Sequence, residues 1–348
     1  MNAPCAALDA TTPALVTGGG GFLGRAIVAQ LRAREVPVAS FARGAHPELA
    51  GLGVETLRGD LRDTEAVRRA CAGRSVVFHV AARAGVWGSR DDFWQANVVG
   101  TRHVLDACRA EGVGRLVYTS TPSVVFDGRD LCGVDESVPY PSRYEAAYPE
   151  TKAIAERMVL AADGPRLATV SLRPHLIWGP EDPHFVPRIT ARARAGRLRI
   201  VGDGRNEVDT LYVDDAARAH LCAAERLAPG SPVAGRAYFL SAGKPVRLWD
   251  MVNRLLAAGD LPPLDRAIPA RLALAAGGVL ETLYRVLRLR GEPLMTRFLA
   301  RELATSHWFD VSAARRDLAW QAEIDLEEGL RRLRASLREA PLAGGPMV

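Results

Sequence analysis

No run in the 348 residues approaches the roughly 18 to 20 consecutive apolar residues needed to cross a bilayer, so the sequence offers no transmembrane span. Cysteine is sparse and scattered: Cys5, Cys71, Cys108, Cys132 and Cys222 form no C-x-x-C pair. That spacing argues against a disulfide framework or a structural zinc, and for reduced thiols in a cytoplasmic setting. The seven histidines make no H-E-x-x-H or comparable cluster, so no metal is expected. There is no basic run of five or more and no aromatic–basic repeat. The net charge of +5, carried mostly by arginine, therefore belongs to solvated helix faces, and no nucleic-acid partner is expected. Met1 to Pro13 has neither the positive charge nor the apolar core of a secretion signal and reads as a short loose leader.

What is present is a globular composition, 48% hydrophobic and 24% charged, with length enough for a nucleotide-binding domain and a smaller substrate-holding region. Ala14–Thr17 is a short apolar strand that runs into Gly18-Gly19-Gly20-Gly21-Phe22-Leu23-Gly24, and Arg25 to Arg34 follows as a helix. Further strands are expected at Val36–Phe41, Val54–Leu57, Val76–Val80, Leu116–Thr119 and Ala168–Leu172. Apolar residues at helical spacing mark Asp91–Glu111 and Tyr148–Ala161. Alternating β and α segments imply an α/β fold, a Rossmann-type doubly wound parallel sheet with a smaller C-terminal substrate-binding region. We expect the dinucleotide-binding domain over residues 13–175 and the substrate-binding region over 176–345, partly interleaved with it.

Gly18, Gly21 and Gly24 are spaced G-x-x-G-x-x-G between the first strand and its helix. The first glycine permits the tight turn, the second lets backbone approach a pyrophosphate, and the third lets helix and strand pack closely. Phe22 and Leu23 sit inside the same turn. The second strand ends Ser40-Phe41-Ala42-Arg43, with no acid to hold a ribose 2′-hydroxyl and an arginine that suits a 2′-phosphate. NADP(H) is therefore favoured over NAD(H), although Arg43 could simply cap a loop. Asp60 and Leu61, after the third strand, are placed to meet the adenine; Asp60 could equally be an ordinary helix cap.

Tyr148 and Lys152 stand at i and i+4 on one predicted helix face. A phenol is a poor base at neutral pH, and a nearby cation favours its phenolate, which is a reason to pair these residue types. Lys152 can also hold a nicotinamide ribose. Thr119-Ser120-Thr121-Pro122-Ser123, at the end of the fifth strand, brings hydroxyls to the same side of the sheet.

These residues in this order resemble the extended short-chain dehydrogenase/reductases over nearly the whole chain. Thr17-Gly18, Asn97-Val98-Val99-Gly100-Thr101 and Leu172-Arg173-Pro174 are similarly placed motifs. The resemblance implies a hydride-transferring enzyme in which Thr121, Tyr148 and Lys152 are catalytic. It implies Ala81 and Pro174 as further cofactor contacts. Pro122 stands where dehydratases of the family place an acid, which counts against dehydration.

Within the family, Phe126-Asp127-Gly128-Arg129-Asp130, Asp135 to Tyr140 and Arg173-Pro174-His175 resemble the 3β-hydroxysteroid dehydrogenase branch, particularly the sterol-4α-carboxylate 3-dehydrogenases. Ala84 to Ser89 and Leu299 to Trp308 are similar to bacterial 2-alkyl-3-oxoalkanoate reductases of hydrocarbon biosynthesis. The first resemblance implies an NADP-dependent, decarboxylating 4-carboxysterol 3β-dehydrogenase, and this is the preferred expectation. The alternative is the reductase, with a sugar-nucleotide epimerase or a non-enzymatic redox sensor further behind. Both leading readings place a lipid or sterol β-hydroxy or β-keto acid in the site, with His175, Arg188 or Arg205 as candidate carboxylate contacts. Ile268 to Arg290 is amphipathic and arginine-flanked, as a peripheral membrane contact would be; a substrate lid or ordinary packing is the plainer reading. A homodimer is also expected.

Overall fold

The computed structural model describes residues 7–339, so Cys5 and the far ends of the leader and of the 176–345 region lie outside the described residues. Seven strands form one parallel sheet: β1 (Ala14–Thr17), β2 (Val38–Ala42), β3 (Glu55–Arg58), β4 (Val76–His79), β5 (Arg115–Thr119), β6 (Ala168–Pro174) and β7 (Arg236–Leu240). Their spatial order is β7-β6-β5-β4-β1-β2-β3, with Ala14 flanked by Val38 on one side and Val76 on the other. Direction of winding reverses between β1 and β4, which opens a crevice at the carboxyl ends of those two strands.

Strand alternation builds the two cores. Ala14 and Val16 of β1, Val76 and Phe78 of β4, and Val117 of β5 face one layer, where they meet Ile27, Val28 and Leu31 of helix Phe22–Arg32 and the alanine-rich helix Val213–Arg226. Leu15, Val77, Leu116 and Tyr118 face the other, packed on helices Thr64–Cys71, Gly100–Ala110 and Ala147–Ala161. Both faces are covered, so the strands read as continuous apolar runs rather than as alternating ones.

The expected strands are present with ends shifted by one or two residues. The helix expected over 91–111 is one continuous rod in three windings, α over Arg90–Phe93, π over Trp94–Val99 and α again over Gly100–Ala110. The leader is not loose where it is described: Leu8 is buried in the core and Asp9 caps Thr11 and Thr12. Past residue 175 the chain does not leave the sheet for good. It returns with helix Val213–Arg226, which packs on helix Phe22–Arg32, and with β7, which pairs along β6 from Arg236↔Val170 to Leu240↔Pro174. A separate four-stranded sheet joins Val246–Arg247, Glu207–Val208, His307–Phe309 and Leu131–Val134, segments far apart in sequence. Among the described residues no helix is long and apolar enough to cross a membrane.

Among the buried imidazoles of this architecture, burial depresses His79 to about 3 and both His220 and His307 to about 4, from 6.5. The unfolded chain therefore binds more protons than the folded one below pH 6.5. The stability these groups contribute is full above that value and is lost as pH falls towards 4, by up to about 1.4 kcal/mol per pH unit for each. Urea unfolding at pH 7.0 and 5.5 is expected to give a clearly lower midpoint at the acidic value; an equal or higher one contradicts the assignment of all three as neutral.

Candidate active site

The glycine turn lies at the mouth of the crevice. Gly18 has φ of +71°, and a Cβ there would sit 3.0 Å from the Ala81 backbone; at Gly24 it would collide with the Gly18 carbonyl. Only glycine permits these approaches. Helix Phe22–Arg32 starts without a side-chain cap and with no acid in its first turn. Its first N–H groups and positive dipole end are thus left for an anion, as a dinucleotide pyrophosphate requires. Leu23 is buried beneath the turn and Phe22 is partly exposed. The Ala81 amide donates to Thr17 Oγ1 (3.2 Å), which fixes the loop after β4 against the end of β1.

Arg43, Asp60 and Leu61 follow the ends of β2 and β3, further along the same edge. Arg58 holds the Arg43 carbonyl (3.0 Å). Asp60 is already engaged by Arg62, through the guanidinium at 2.8 and 3.1 Å and the backbone N–H at 2.9 Å, and this contact holds its carboxyl below the usual range. Asp60 does not cap the next helix; Asp63 does, accepting from Glu65 and Ala66. Leu61 packs on Gly100, and its carbonyl accepts from His103 Nδ1 (2.8 Å). Pro174 ends β6 opposite Leu240.

Helix Ala147–Ala161 carries Tyr148 and Lys152 beside the end of β5. The Lys152 ammonium donates to the Thr119 carbonyl (2.6 Å) and lies 4.1 Å over the Tyr118 ring. Burial pulls it down to about 7, against the partial opposition of Glu156 one turn on. Both contacts hold it against the end of β5. Burial pushes Tyr148 up to about 12, while the Thr121 hydroxyl draws it down and Glu302 adds to the rise. Tyr148 thus holds its proton at neutral pH.

Asn97 ties this helix to the crevice. Its Oδ1 accepts from the Arg83 amide (2.8 Å), and its Nδ2 donates to the Arg83 carbonyl (3.1 Å) and to Thr151 Oγ1 (3.0 Å), next to Lys152. The Asn97 carbonyl accepts from Thr101 (2.6 Å), and Thr101 accepts in turn from His79 Nε2 (3.0 Å). His79 Nδ1 accepts from Thr17 (2.8 Å), so one directional chain joins the glycine turn to the rod beside Tyr148. Behind Lys152, burial pushes Glu156 up but Arg173, 2.7 Å away, more than offsets it, and Ser171 and Tyr140 complete its bonds.

Ser123, the last hydroxyl of the stretch expected to face the site, brings in Glu302, which was not read from the sequence. Ser123 Oγ donates to Glu302 Oε1 (3.4 Å), and burial pushes the Glu302 carboxyl up to about 7. Glu302 belongs to no spacing pattern and is 154 positions beyond Tyr148, so only the fold brings them together. The three candidate carboxylate contacts are not at the site. His175 is buried between Asp209 (2.6 Å) and His307 (3.0 Å), Arg188 pairs with Glu292, and Arg205 is exposed beyond Asp203. Among the described residues no group of three or more metal-ligating side chains forms.

A cleft of about 550 Å³ runs past Phe93 and Ala147, the neighbours of Tyr148; Trp87, Phe93, Tyr284 and Phe298 line it together with the charged Arg90, Glu145, Glu150, Glu281, Arg285 and Arg288. Phe93 lies against Tyr148, with ring centroids 6.5 Å apart. Trp87 meets Tyr284 edge-on at 6.1 Å, and Arg285 stacks over Trp87. Helix Ala270–Val286 therefore roofs the cleft.

A parallel sheet with a glycine turn at its switch point, and a Tyr-Lys pair beside it, defines a nicotinamide-dependent oxidoreductase of the short-chain type. Residues 15–269 match the 3-beta hydroxysteroid dehydrogenase/isomerase family, and the chain belongs to that family. It is 54% identical to the 2-alkyl-3-oxoalkanoate reductase of Stenotrophomonas maltophilia (strain K279a), covering 92% of this chain and 98% of the relative. It is 50% identical to the protein of the same name from Shewanella oneidensis, over 95% of this chain and 89% of that one. Identity falls to 31% with the decarboxylating sterol-4-alpha-carboxylate 3-dehydrogenase of Mus musculus, over 91% of this chain and 88% of the relative. Among solved structures, MoeE5 in complex with UDP-glucose and NAD superposes with a TM-score of 0.74 at 25% identity, over 94% of this chain and 99% of that one. The preference for the sterol enzyme is corrected by these identities: the reductase, given second place from sequence motifs, is the better supported.

Asn97→Ala strands the Arg83 amide and loosens the helix that carries Tyr148. Loss of about 2–4 kcal/mol in urea unfolding is expected, with kcat falling more than KM rises. A variant as stable as wild type would show that the Arg83 and Thr151 contacts carry no weight.

Proposed function

We propose that the protein reduces the 3-ketone of a 2-alkyl-3-oxo acid to the hydroxy acid, using NADPH. The observation that carries this reading is a tyrosine that retains its proton next to a cleft walled in part by Trp87, Phe93, Tyr284 and Phe298, since a reductase needs an acid at the ketone oxygen and room for an alkyl chain. The identity to the two bacterial reductases supports it. Arg43, with no acid at the end of β2, supports NADPH over NADH.

When bound, the reduced nicotinamide supplies the hydride. The glycine turn and the uncapped helix start would hold its pyrophosphate, and Arg43 its 2′-phosphate; Asp60, Leu61, Ala81, Lys152 and Pro174 are proposed as its further contacts. Tyr148 donates its proton to the ketone oxygen as the alcohol forms. Thr121 orients that oxygen and stabilises the phenolate left behind. Reduction also removes the electron sink through which a β-keto acid loses carbon dioxide, so the carboxylate is kept.

Purified protein with NADPH and a 2-alkyl-3-oxo acid is expected to yield a stable hydroxy acid, with NADH the poorer donor. Tyr148→Phe should lower kcat by about 10²–10⁴-fold. Carbon dioxide and a ketosteroid from a 4-carboxy-3-hydroxysterol with NADP⁺, and no turnover of the oxo acid, would reinstate the sterol reading.

We further propose a cytoplasmic enzyme that touches an anionic membrane through helix Ala270–Val286. The helix turns Ala273, Gly277 and Glu281 inward and leaves Leu272, Val279, Leu283 and Val286 exposed, Val286 to 73%. Arg271, Arg285, Arg288 and Arg290 border this strip, each worth about 1 kcal/mol near an anionic surface. Wild type should sediment with anionic vesicles and Arg271→Glu/Arg290→Glu should not. Sedimentation that survives the substitutions removes the electrostatic part, and self-association without vesicle binding assigns the face to a second copy in a homodimer.

A further inference from the structure

Helix Arg297–Ala304 brings Phe298 to the wall of the cleft and Glu302 to Ser123. The carbonyls of a helix's last turn find no partner within the helix and must be met from outside. The Ser306 amide, which continued winding would offer to the Glu302 carbonyl, goes to Asp130 instead (2.8 Å). That carbonyl is met by His307 Nε2 (2.9 Å). His307 Nδ1 lies 3.0 Å from His175 Nε2, and His175 Nδ1 lies 2.6 Å from Asp209 Oδ1. The second Asp209 oxygen accepts from Ser241 Oγ (2.5 Å) and from the Phe309 amide (3.0 Å). Asp209, His175 and His307 are all buried.

The hydrogens in this line can be counted. Three contacts need one hydrogen each, and neither end, a carbonyl or an ionised carboxylate, brings any. Two neutral imidazoles hold two. One contact would then set lone pair against lone pair inside the protein, where an unpaired polar group is costly. A third hydrogen is required, and an imidazole is a stronger base than a carboxylate. Burial pulls His307 down to about 4, and positive charge at His175 adds to that fall, so His307 is the neutral ring. The third hydrogen falls to His175, where the Asp209 carboxylate balances it. The other charged groups nearby are committed elsewhere: the Glu302 carboxyl to Ser123, Arg301 to Glu145, and Arg173, two residues before His175, to Glu156. The rings against the two imidazoles are Phe309 and Phe126.

We propose that His175 is a buried imidazolium whose second hydrogen sets the direction of this line, so that His307 donates to the Glu302 carbonyl and fastens helix Arg297–Ala304 over the substrate cleft. It is a positioning residue, acting on the cleft through His307 and the helix. If His175 loses that hydrogen, His307 turns its own N–H towards His175 and presents a lone pair to the carbonyl, and the last turn of the helix is released. The effect on substrate rests on the proposed reductase; the hydrogen count does not.

In the protein without nicotinamide at pH 7, imidazole ¹⁵N spectra are expected to show hydrogen on both nitrogens of His175 and on Nε2 alone of His307. Asp209→Asn should take one hydrogen from His175 and leave His307 unchanged. Its amide N–H supplies the hydrogen to His175 Nδ1, and its oxygen still accepts from Ser241 and Phe309. Amide exchange across 297–304 should quicken in His307→Phe, and in wild type once raised pH has removed the second His175 hydrogen, but not in Asp209→Asn at that pH. A merely structural need for the Asp209 charge would give the opposite order. KM for a 2-alkyl-3-oxo acid should follow the exchange, rising about fivefold with kcat changed by less than about twofold, as loss of one hydrogen bond from the cleft wall would give. The Glu302 carboxyl, pushed up to about 7 by burial, titrates in every variant and cancels in their ratios. One hydrogen on each ring in wild type at pH 7 overturns the imidazolium, whether or not the variants fold. Two on His175, with exchange unaltered in His307→Phe, overturns its hold on the helix. Absence of oxo-acid turnover in wild type defeats the reductase reading, while spectra and exchange still decide this one.

Discussion

A buried ammonium sets the geometry of the whole site. Lys152 is withdrawn from water and is tolerated because the Thr119 carbonyl, the face of Tyr118 and the Glu156 carboxylate receive it. Once the lysine is fixed to the end of β5, the helix that bears it can neither slide nor rotate. Tyr148, one turn earlier, is then delivered to the crevice, and Glu156, one turn later, to Arg173 on β6. The Glu156–Arg173 pair is more than a buried ion pair; it closes the far side of the lysine's surroundings and keeps solvent from it.

Two halves of the chain divide the work at that helix. On one side, strand ends and the glycine turn form a rigid edge shaped for a dinucleotide. On the other, segments from residues 86–93, 270–286 and 297–304 meet around the cleft that runs past Phe93 and Ala147. Gly277 allows the roof to come close, since a Cβ there would lie 2.7 Å from the Thr296 carbonyl carbon. The substrate side is built almost wholly from tertiary contacts between elements distant in sequence, and its specificity therefore depends on how the roof sits on Thr296 and Arg297.

Local pattern made the dinucleotide edge legible. Strand, glycine turn and helix are contiguous, β1, β4 and β5 are uninterrupted apolar runs, and Tyr148 and Lys152 share a helix face, so each follows from a few consecutive residues. Other features were hidden for physical reasons. β7 is a five-residue segment whose place beside β6 is decided only by long-range pairing. Periodicity revealed that 268–290 has an apolar and a polar side but not which one is buried; Ala273, Gly277 and Glu281 turn inward because small residues permit close approach and Glu281 finds the Arg297 amide at 2.7 Å. His175 looked free to meet a carboxylate because its partners, Asp209 and His307, are 34 and 132 residues away. Glu302 carried no local mark at all.

The π-winding at Trp94–Val99 has an evolutionary consequence. A π-turn holds one residue more than the α-turn it replaces, so the rod carries a residue that ordinary helical winding has no place for. Deleting one position between 94 and 99 would let the rod relax to regular α-geometry with its two flanking windings still in nearly their present register, because the π-turn already absorbs the extra residue. The length of this segment is accordingly open to change in a way that the rest of the rod is not: a residue lost elsewhere would turn one end against the other by about 100°.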